Sequence, residues 1–194
     1  MIEKKGITGI ILAGGKSSRM GTDKGFLILN EKPFVQYSVD ALKPLVLEII
    51  IVSDDSKYDA FGLKRVNDIT KNAGPVAGIC AGLEASKTEY NLILSCDIPL
   101  ISSEILQKLI NNIDDVSQII QIESHGKSMP LIAIYKKDVI STFDAFLKND
   151  ERRLRVAIKN CISKNIVLEK EQEFSTTNVN TQNELKAIEN AYNH

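Results

Sequence analysis

The sequence is poor in the residues that build several common kinds of site. It has no tryptophan, its aromatic fraction is 6%, and it contains two histidines, neither of which has a partner that suggests nucleophilic catalysis. Its three cysteines, Cys80, Cys96 and Cys161, are odd in number and lack C-x-x-C spacing, so we expect neither a disulfide framework nor a zinc site. We interpret them as core thiols of a protein that resides in the reducing cytoplasm.

Charge imbalance and long apolar runs are also missing. Lysine and arginine number 24 against 25 acidic residues, which gives a formal net charge of -1 and argues against a nucleic-acid partner. No stretch reaches the apolar length of a membrane span, and the first apolar run is too short for a signal peptide. With 194 residues, 43% of them hydrophobic, we predict a single domain over 1–194.

One glycine-rich stretch organises the rest of the chain. Residues 12–24 read LAGGKSSRMGTDK and directly follow an apolar run typical of a buried parallel strand. Gly14 and Gly15 allow a sharp turn that brings backbone N–H groups close to an anion, and Arg19 and Lys24 add two cations. The stretch matches neither G-x-G-x-x-G nor G-x-x-x-x-G-K-[ST], and it suits a triphosphate better than a dinucleotide. A strand-to-helix turn with solvated basic residues is the alternative.

Strand and helix patterns alternate through the first hundred residues. Runs at 10–12, 47–52, 63–66 and 90–95 predict buried strands, and helices are expected from 33 to before Pro44, from 74 to about 85 and from 102 to about 112. This pattern predicts an α/β fold with a Rossmann-like, mostly parallel sheet in a three-layer α/β/α sandwich, with ligands at the carboxyl edge. Residues 117–122 and 131–135 predict a hairpin that makes one strand antiparallel.

Two carboxylates follow predicted strands. Asp97 lies just past the strand at 90–95 and before Pro99, where a hard oxygen ligand for Mg²⁺ is useful, although an Asx-turn would also place an aspartate there. Asp68 follows the strand at 63–66 and is either a nucleotide ligand or a turn residue. Farther on, Thr181 and Glu184 form a capping box for the last helix.

These motifs together resemble the nucleotidyltransferase superfamily. The stretch L-A-G-G-x-x-x-R-M-G-x-D-K is most similar to the molybdenum cofactor guanylyltransferase family, as are C-D-x-P at Asp97, G-P-V-A-G at residues 74–78 and N-V-N-T at residues 178–181. The family usually has a proline at the position of Gln182. The resemblance implies the fold of the nucleotide-diphospho-sugar transferases, with a nucleotide-binding half over about 7–112 and an acceptor-binding half over about 113–194.

The resemblance also implies roles for individual residues. Asp97 would bind Mg²⁺ and act in catalysis with Arg19 and Lys24. Lys24 and Asp97 would also contact the nucleotide. The other expected nucleotide contacts are Leu12, Ala13, Gly14, Gly15 and Asp68. The acceptor would contact Asn178, Asn180 and Arg153, although clustered arginines on a helix are as often a solvated face.

The implied reaction is transfer of GMP from GTP to molybdenum-bound molybdopterin, with release of pyrophosphate. Molybdenum-insertion proteins and molybdoenzyme chaperones are the implied protein partners, with no nucleic acid and no membrane. Two alternatives stay open from the sequence. One is transfer of CMP to the same pterin, or of a nucleotide to a sugar phosphate. The other is a non-catalytic chaperone that delivers the cofactor.

Overall fold

The computed structural model describes residues 6–14, 23–68 and 74–192. The first half contains these strands and helices: β1 (Ile7–Leu12), β2 (Ile28–Leu29), β3 (Lys32–Pro33), α1 (Phe34–Leu42), β4 (Glu48–Val52), β5 (Lys64–Val66), α2 (Pro75–Ala85), β6 (Tyr90–Ser95) and α3 (Ser103–Asn111). The second half contains β7 (Ile119–Ser124), β8 (Lys127–Lys136), α4 (Val139–Lys148), α5 (Leu154–Ile158), β9 (Ser163–Val167), α6 (Lys170–Glu173) and α7 (Gln182–Tyr192). Within the described residues, no helix is both long and apolar enough to cross a membrane.

Seven of the strands form one mostly parallel sheet in the order β5-β4-β1-β6-β8-β7-β9. Strands β5, β4, β1 and β6 run parallel to one another, with Ile10 of β1 paired to Ile50 of β4 and to Ile93 of β6. Strand β8 is antiparallel to both β6 and β7, while β7 and β9 are parallel. The predicted mostly parallel sheet and its antiparallel hairpin strand are therefore confirmed.

The helices cover both faces of the sheet, as the predicted three-layer sandwich requires. On one face, side chains of α1 and α3 such as Leu42 and Leu106 pack with Ile11 of β1. On the other face, α2, α4 and α5 pack with Ile10, the neighbouring residue of the same strand. Successive side chains of a strand point to opposite faces, so an unbroken apolar run is what a strand buried on both sides requires.

The carboxyl ends of the four parallel strands meet at one edge of the sheet. The backbone continues the strand pairing just beyond them, because the N–H of Ala13 donates to the carbonyl of Val52 and the N–H of Cys96 donates to the carbonyl of Leu12. The segments that follow β1 and β6 are thus held side by side. This alignment of the neighbouring strands brings residues 13–14 and Asp97 to the same part of the molecule.

Candidate active site

The side chains of Lys24, Asp97 and Asn180 meet at this edge, although they are far apart in the chain. The ammonium of Lys24 donates to Oδ2 of Asp97 at 2.9 Å and also to Oδ1 of Asn180. The side chain of Asp97 is 11% exposed and that of Lys24 is 23% exposed, so the ion pair is largely shielded from water. A shielded, charge-assisted contact of this kind fixes both side chains more firmly than a surface pair would.

Three further hydrogen bonds hold Asp97 in place. The hydroxyl of Ser95 donates to Oδ1 of Asp97 at 2.6 Å, and the amide of Asn178 donates to the same oxygen at 3.0 Å. The backbone carbonyl of Asp97 accepts from the N–H of Val179 at 2.9 Å. The loop after β6 is therefore joined to the segment before α7, and Oδ2 of Asp97 faces the cation.

The segment that carries the two asparagines is ordered by the predicted capping box. The N–H of Glu184 donates to the hydroxyl of Thr181 at 3.2 Å, and the Glu184 carboxylate accepts from the N–H groups of Asn180 and Thr181 at 2.6 and 2.9 Å. The hydrogen bond from the backbone of Asn180 lowers the pKa of the Glu184 carboxyl. The box therefore also fixes the backbone of Asn180, which the sequence pattern alone does not indicate.

A pocket of about 590 Å³ lies beside this cluster at the ends of the parallel strands. Leu12, Ala13 and Gly14 line it, with Gly14 at φ 117°, a backbone conformation that favours glycine. Asp68 and Asp54 also line it, and both burial and the charge of Asp54 raise the pKa of Asp68. Together these residues offer a glycine turn for an anion and a carboxylate for hydrogen-bond donors.

A second pocket of about 760 Å³ shares Pro75 and Leu131 with the first. Its wall includes basic groups and one of the asparagines of the active site: His125, Lys127, Arg153, Arg155 and Asn178. Hydrophobic side chains also line it: Ile98, Met129, Leu154 and Val156. The two pockets are therefore neighbours, and the second combines apolar side chains with cations.

The arginines of this second pocket differ in their surroundings. Arg153 is paired with Glu151, its Nε lies 2.9 Å from Oε1 of Glu151, and this pairing holds the pKa of the Glu151 carboxyl at about 2. Arg155 donates instead to the hydroxyl and carbonyl of Ser128, at 3.2 and 3.1 Å. An anionic ligand would therefore have to compete with a carboxylate for Arg153 but only with neutral oxygens for Arg155.

Several expected site residues are brought together, whereas two lie outside the described part of the chain. Lys24, Asp97, Asn178 and Asn180 form one cluster, Leu12, Ala13, Gly14 and Asp68 line the first pocket, and Arg153 lines the second. Gly15 and Arg19 lie outside the described residues. Sequence reasoning did not select Ser95 and Asp54, although each sits at the end of a strand, which is the signal that singled out Asp97 and Asp68.

The oxygen atoms around the Lys24 ammonium are suited to a hard divalent cation. Within residues 6–14, 23–68 and 74–192, no three side chains of His, Cys, Asp or Glu cluster so as to hold a metal ion. Mg²⁺, however, is commonly bound by one or two carboxylates together with substrate phosphates. Oδ2 of Asp97 and Oδ1 of Asn180 already enclose a cationic group, so they fit a metal ion that also contacts a nucleotide.

Comparison with known proteins identifies the family of this chain. Residues 9–165 match the family described as MobA-like NTP transferase domain. The chain is 36% identical to a Flavobacterium johnsoniae protein named "Probable molybdenum cofactor guanylyltransferase", over 94% of this chain and 96% of that protein. It is 33% identical to the molybdenum cofactor guanylyltransferase of Polynucleobacter asymbioticus, over 98% of this chain and 100% of the relative.

Among solved structures, the fold is similar to that of molybdopterin-guanine dinucleotide biosynthesis protein A from Archaeoglobus fulgidus. The TM-score is 0.79 at 20% sequence identity, and the similarity covers 96% of this chain and 98% of that chain. This likeness establishes the shared fold, and the family match with the identities above establishes kinship. The chain belongs to the MobA-like NTP transferase family.

Proposed function

We propose that this protein transfers GMP from GTP to molybdenum-bound molybdopterin and releases pyrophosphate. The observation that carries the proposal is the convergence of Lys24, Asp97 and Asn180 at the carboxyl edge of the parallel sheet. Two hydrogen-bond partners of Asp97 connect this cluster to two adjoining pockets, because Ser95 lines one pocket and Asn178 lines the other. One pocket fits a nucleotide and the other an anionic acceptor. The names of the relatives, which are molybdenum cofactor guanylyltransferases, support this choice of substrates.

The first pocket is the proposed nucleotide site. Leu12, Ala13 and Gly14 would lie along the nucleotide, and the turn at Gly14 leaves room for close approach to the backbone. Asp68 would accept hydrogen bonds from the base. Guanine presents adjacent N1 and N2 donors that one carboxylate can accept together, whereas cytosine presents a single exocyclic amine. This difference supports GTP over CTP.

Asp97 and Asn180 are the proposed metal-binding residues. When bound there, Mg²⁺ would neutralise charge on the phosphates of the nucleotide and polarise the one under attack. Lys24 would then leave Asp97 for the triphosphate, because a phosphate oxygen offers its ammonium a comparable charge-assisted hydrogen bond. Ser95 and Asn178 would keep the carboxylate oriented during that exchange.

The second pocket is the proposed acceptor site, in keeping with the expected division into a nucleotide-binding half and an acceptor-binding half. Most of its wall lies between residues 124 and 178. The apolar lining residues suit a flat ring system, while Lys127, Arg153 and Arg155 suit a terminal phosphate. Asn178 touches this pocket and also donates to Asp97, so it links the acceptor to the phosphate end of the nucleotide site.

The proposed chemistry needs no covalent intermediate. The acceptor phosphate attacks the α-phosphorus of GTP in line, a new phosphoanhydride bond forms, and pyrophosphate leaves with the electrons of the broken bond. The protein contributes by positioning the two substrates and by stabilising charge on the leaving pyrophosphate through Lys24. Arg19 is proposed to assist Lys24 in this role.

The deciding experiment is a pyrophosphate-release assay with GTP, CTP, ATP or UTP, with and without molybdenum-bound molybdopterin. We expect Mg²⁺-dependent release with GTP only when the acceptor is present. Release with CTP, or with GTP and a sugar phosphate, would support a different transferase. Nucleotide binding without release under any condition would support the delivery chaperone instead and refute the proposal.

We place this reaction in the cytoplasm. Cys80, Cys96 and Cys161 are all unpaired, which fits a reducing compartment. Molybdenum-insertion proteins and molybdoenzyme chaperones are the proposed partners on either side of the reaction. Co-purification of tagged protein with such partners from growing cells would test this part of the proposal.

A further inference from the structure

A buried tyrosine is hydrogen-bonded to Asp23, the residue that precedes Lys24. Tyr58 belongs to the 3-10 helix Ser56–Phe61, which follows β4, and its side chain is fully buried. Its hydroxyl donates to Oδ1 of Asp23 at 2.7 Å. The same carboxylate oxygen accepts from the N–H of Gly25 at 3.0 Å and so caps the 3-10 helix Lys24–Phe26.

Tyr58 contacts the chain on both sides of Lys24. Its ring lies 4.5 Å from the ring of Phe26, between centroids. A Cβ atom at residue 25 would lie 2.1 Å from the hydroxyl oxygen of Tyr58, so only glycine fits there. The residue before Lys24 and the two after it are therefore all fixed against one aromatic side chain.

The chemistry of this contact favours a fixed geometry. Burial raises the pKa of the Tyr58 hydroxyl, so it stays protonated and remains a donor at every physiological pH. A hydrogen bond from a neutral donor to a carboxylate is stronger than one between neutral groups. Asp23 and Tyr58 are 35 residues apart, so the bond joins the start of the Lys24 helix to the segment after β4.

We propose that Tyr58 is a positioning residue for Lys24. Through Asp23 and Gly25 it fixes the backbone from which the Lys24 ammonium reaches Asp97, Asn180 and the leaving pyrophosphate. The inference rests on the proposed function, because it assigns to Tyr58 an effect on the transfer step. It follows that the hydroxyl of Tyr58, a residue with no exposed surface, should affect kcat for the transfer more than it affects nucleotide binding.

The test is Tyr58→Phe, which removes one oxygen and keeps the ring. We expect kcat for GMP transfer to fall about 10- to 100-fold, the scale of a small misplacement of a reacting group, while KM for GTP changes less than about twofold. A matched control is Tyr37→Phe, since the Tyr37 hydroxyl donates to the backbone carbonyl of Leu29 at 2.7 Å. That variant should lose stability without a comparable loss of kcat.

A double-mutant cycle separates positioning from a general loss of packing. In a Lys24→Met background, Tyr58→Phe should lower the residual kcat by less than about twofold, because the group it positions is already gone. Equal losses in both backgrounds would overturn the inference. If Tyr58→Phe is too unstable to assay, Asp23→Ala breaks the same contact and must show the same dependence on Lys24.

Failure of the inference can be told apart from failure of the proposed function. Wild-type protein that releases no pyrophosphate from GTP would refute the proposed function and, with it, the role of Tyr58 in turnover. Wild-type protein that is active, together with Tyr58→Phe that keeps its kcat while melting at a lower temperature, would refute the positioning role alone.

Discussion

Removal of the Lys24 charge should strengthen metal binding and weaken catalysis at the same time. In the structure the ammonium of Lys24 sits between Oδ2 of Asp97 and Oδ1 of Asn180, the oxygens proposed to bind Mg²⁺. A metal ion that binds without nucleotide must displace this ammonium. Lys24→Met keeps most of the length of the side chain and removes its charge and its hydrogen bonds.

The size of the effect follows from the contact that is lost. A hydrogen bond between charged groups contributes about 1.5–3 kcal/mol net, and little discount for solvent applies because both side chains are mostly shielded. Since about 1.4 kcal/mol corresponds to a factor of ten, Lys24→Met should raise the affinity of nucleotide-free protein for a divalent ion about 10- to 100-fold. Turnover with GTP should fall by about 100-fold or more.

Mn²⁺ is the suitable probe, because its paramagnetic resonance signal reports the free ion directly. Titrations of wild-type and Lys24→Met protein should be run with and without GTP. In the wild type, GTP should raise Mn²⁺ affinity strongly, since the triphosphate supplies oxygen ligands to the ion and also draws Lys24 away from Asp97. In the variant this gain from GTP should be smaller, because no ammonium has to be displaced.

A control for net charge is Lys164→Met, which removes a partly exposed ion pair with Asp114 at 3.3 Å on the edge strand β9. It should leave both Mn²⁺ affinity and turnover within about twofold of the wild type, as expected for an exposed pair. Equal or weaker Mn²⁺ binding by Lys24→Met would refute the reasoning, because it would mean that the ammonium and the metal ion do not compete.

Three further substitutions test other parts of the site. Asp97→Asn should abolish Mg²⁺-dependent turnover with partial rescue by Mn²⁺. Because it removes the charge-assisted contact with Lys24, it should cost about 1.5–3 kcal/mol of stability; near-normal turnover would contradict a metal role. Asp68→Asn should reduce the preference for GTP over CTP in thermal shift assays. The pKa of Asp68 is raised in the folded state, so its carboxylate form lowers the stability of the protein at neutral pH. The variant should therefore melt at a higher temperature than the wild type at pH 7, and this gain should vanish below about pH 3.9. A variant that melts at a lower temperature at neutral pH would contradict the burial argument. Gly25→Ala should lower the free energy of unfolding by about 1–3 kcal/mol in urea denaturation, because the added methyl group meets Tyr58; an unchanged midpoint would contradict the close packing.

Much of the fold could be predicted from local pattern. The unbroken apolar runs before residues 13, 53 and 96 predicted strands buried on both faces, and the structure has β1, β4 and β6 there. The capping box of Thr181 and Glu184 could be predicted from the sequence because its donors and acceptors lie within one helical turn. Most boundaries shifted by a residue or two, but β1 begins at Ile7 instead of residue 10, and β8 begins at Lys127 instead of residue 131. With β7 ending at Ser124, only two residues separate the hairpin strands.

Sequence patterns selected the residues of the candidate site but did not indicate their contacts. Asp97 and Lys24 were both expected near phosphate, yet nothing in their spacing indicates that the ammonium of one binds the carboxylate of the other. Arg153 was expected to bind the acceptor, and the structure shows it paired with Glu151, two residues away. The roles assigned to Asn178 and Asn180 in acceptor binding stay predictions, as do those of Gly15 and Arg19.

The sequence by itself determined which segments become strands and helices, and which polar residues fall at strand ends. Those features depend on the spacing of neighbouring side chains and on turn residues, so they are local. Only the tertiary structure decided that Lys24 meets Asp97 and Asn180, and that Tyr58 reaches Asp23. These contacts join residues 73, 156 and 35 positions apart, and they depend on strand order and on helix packing across the sheet, which the side-chain periodicity of a single segment does not specify.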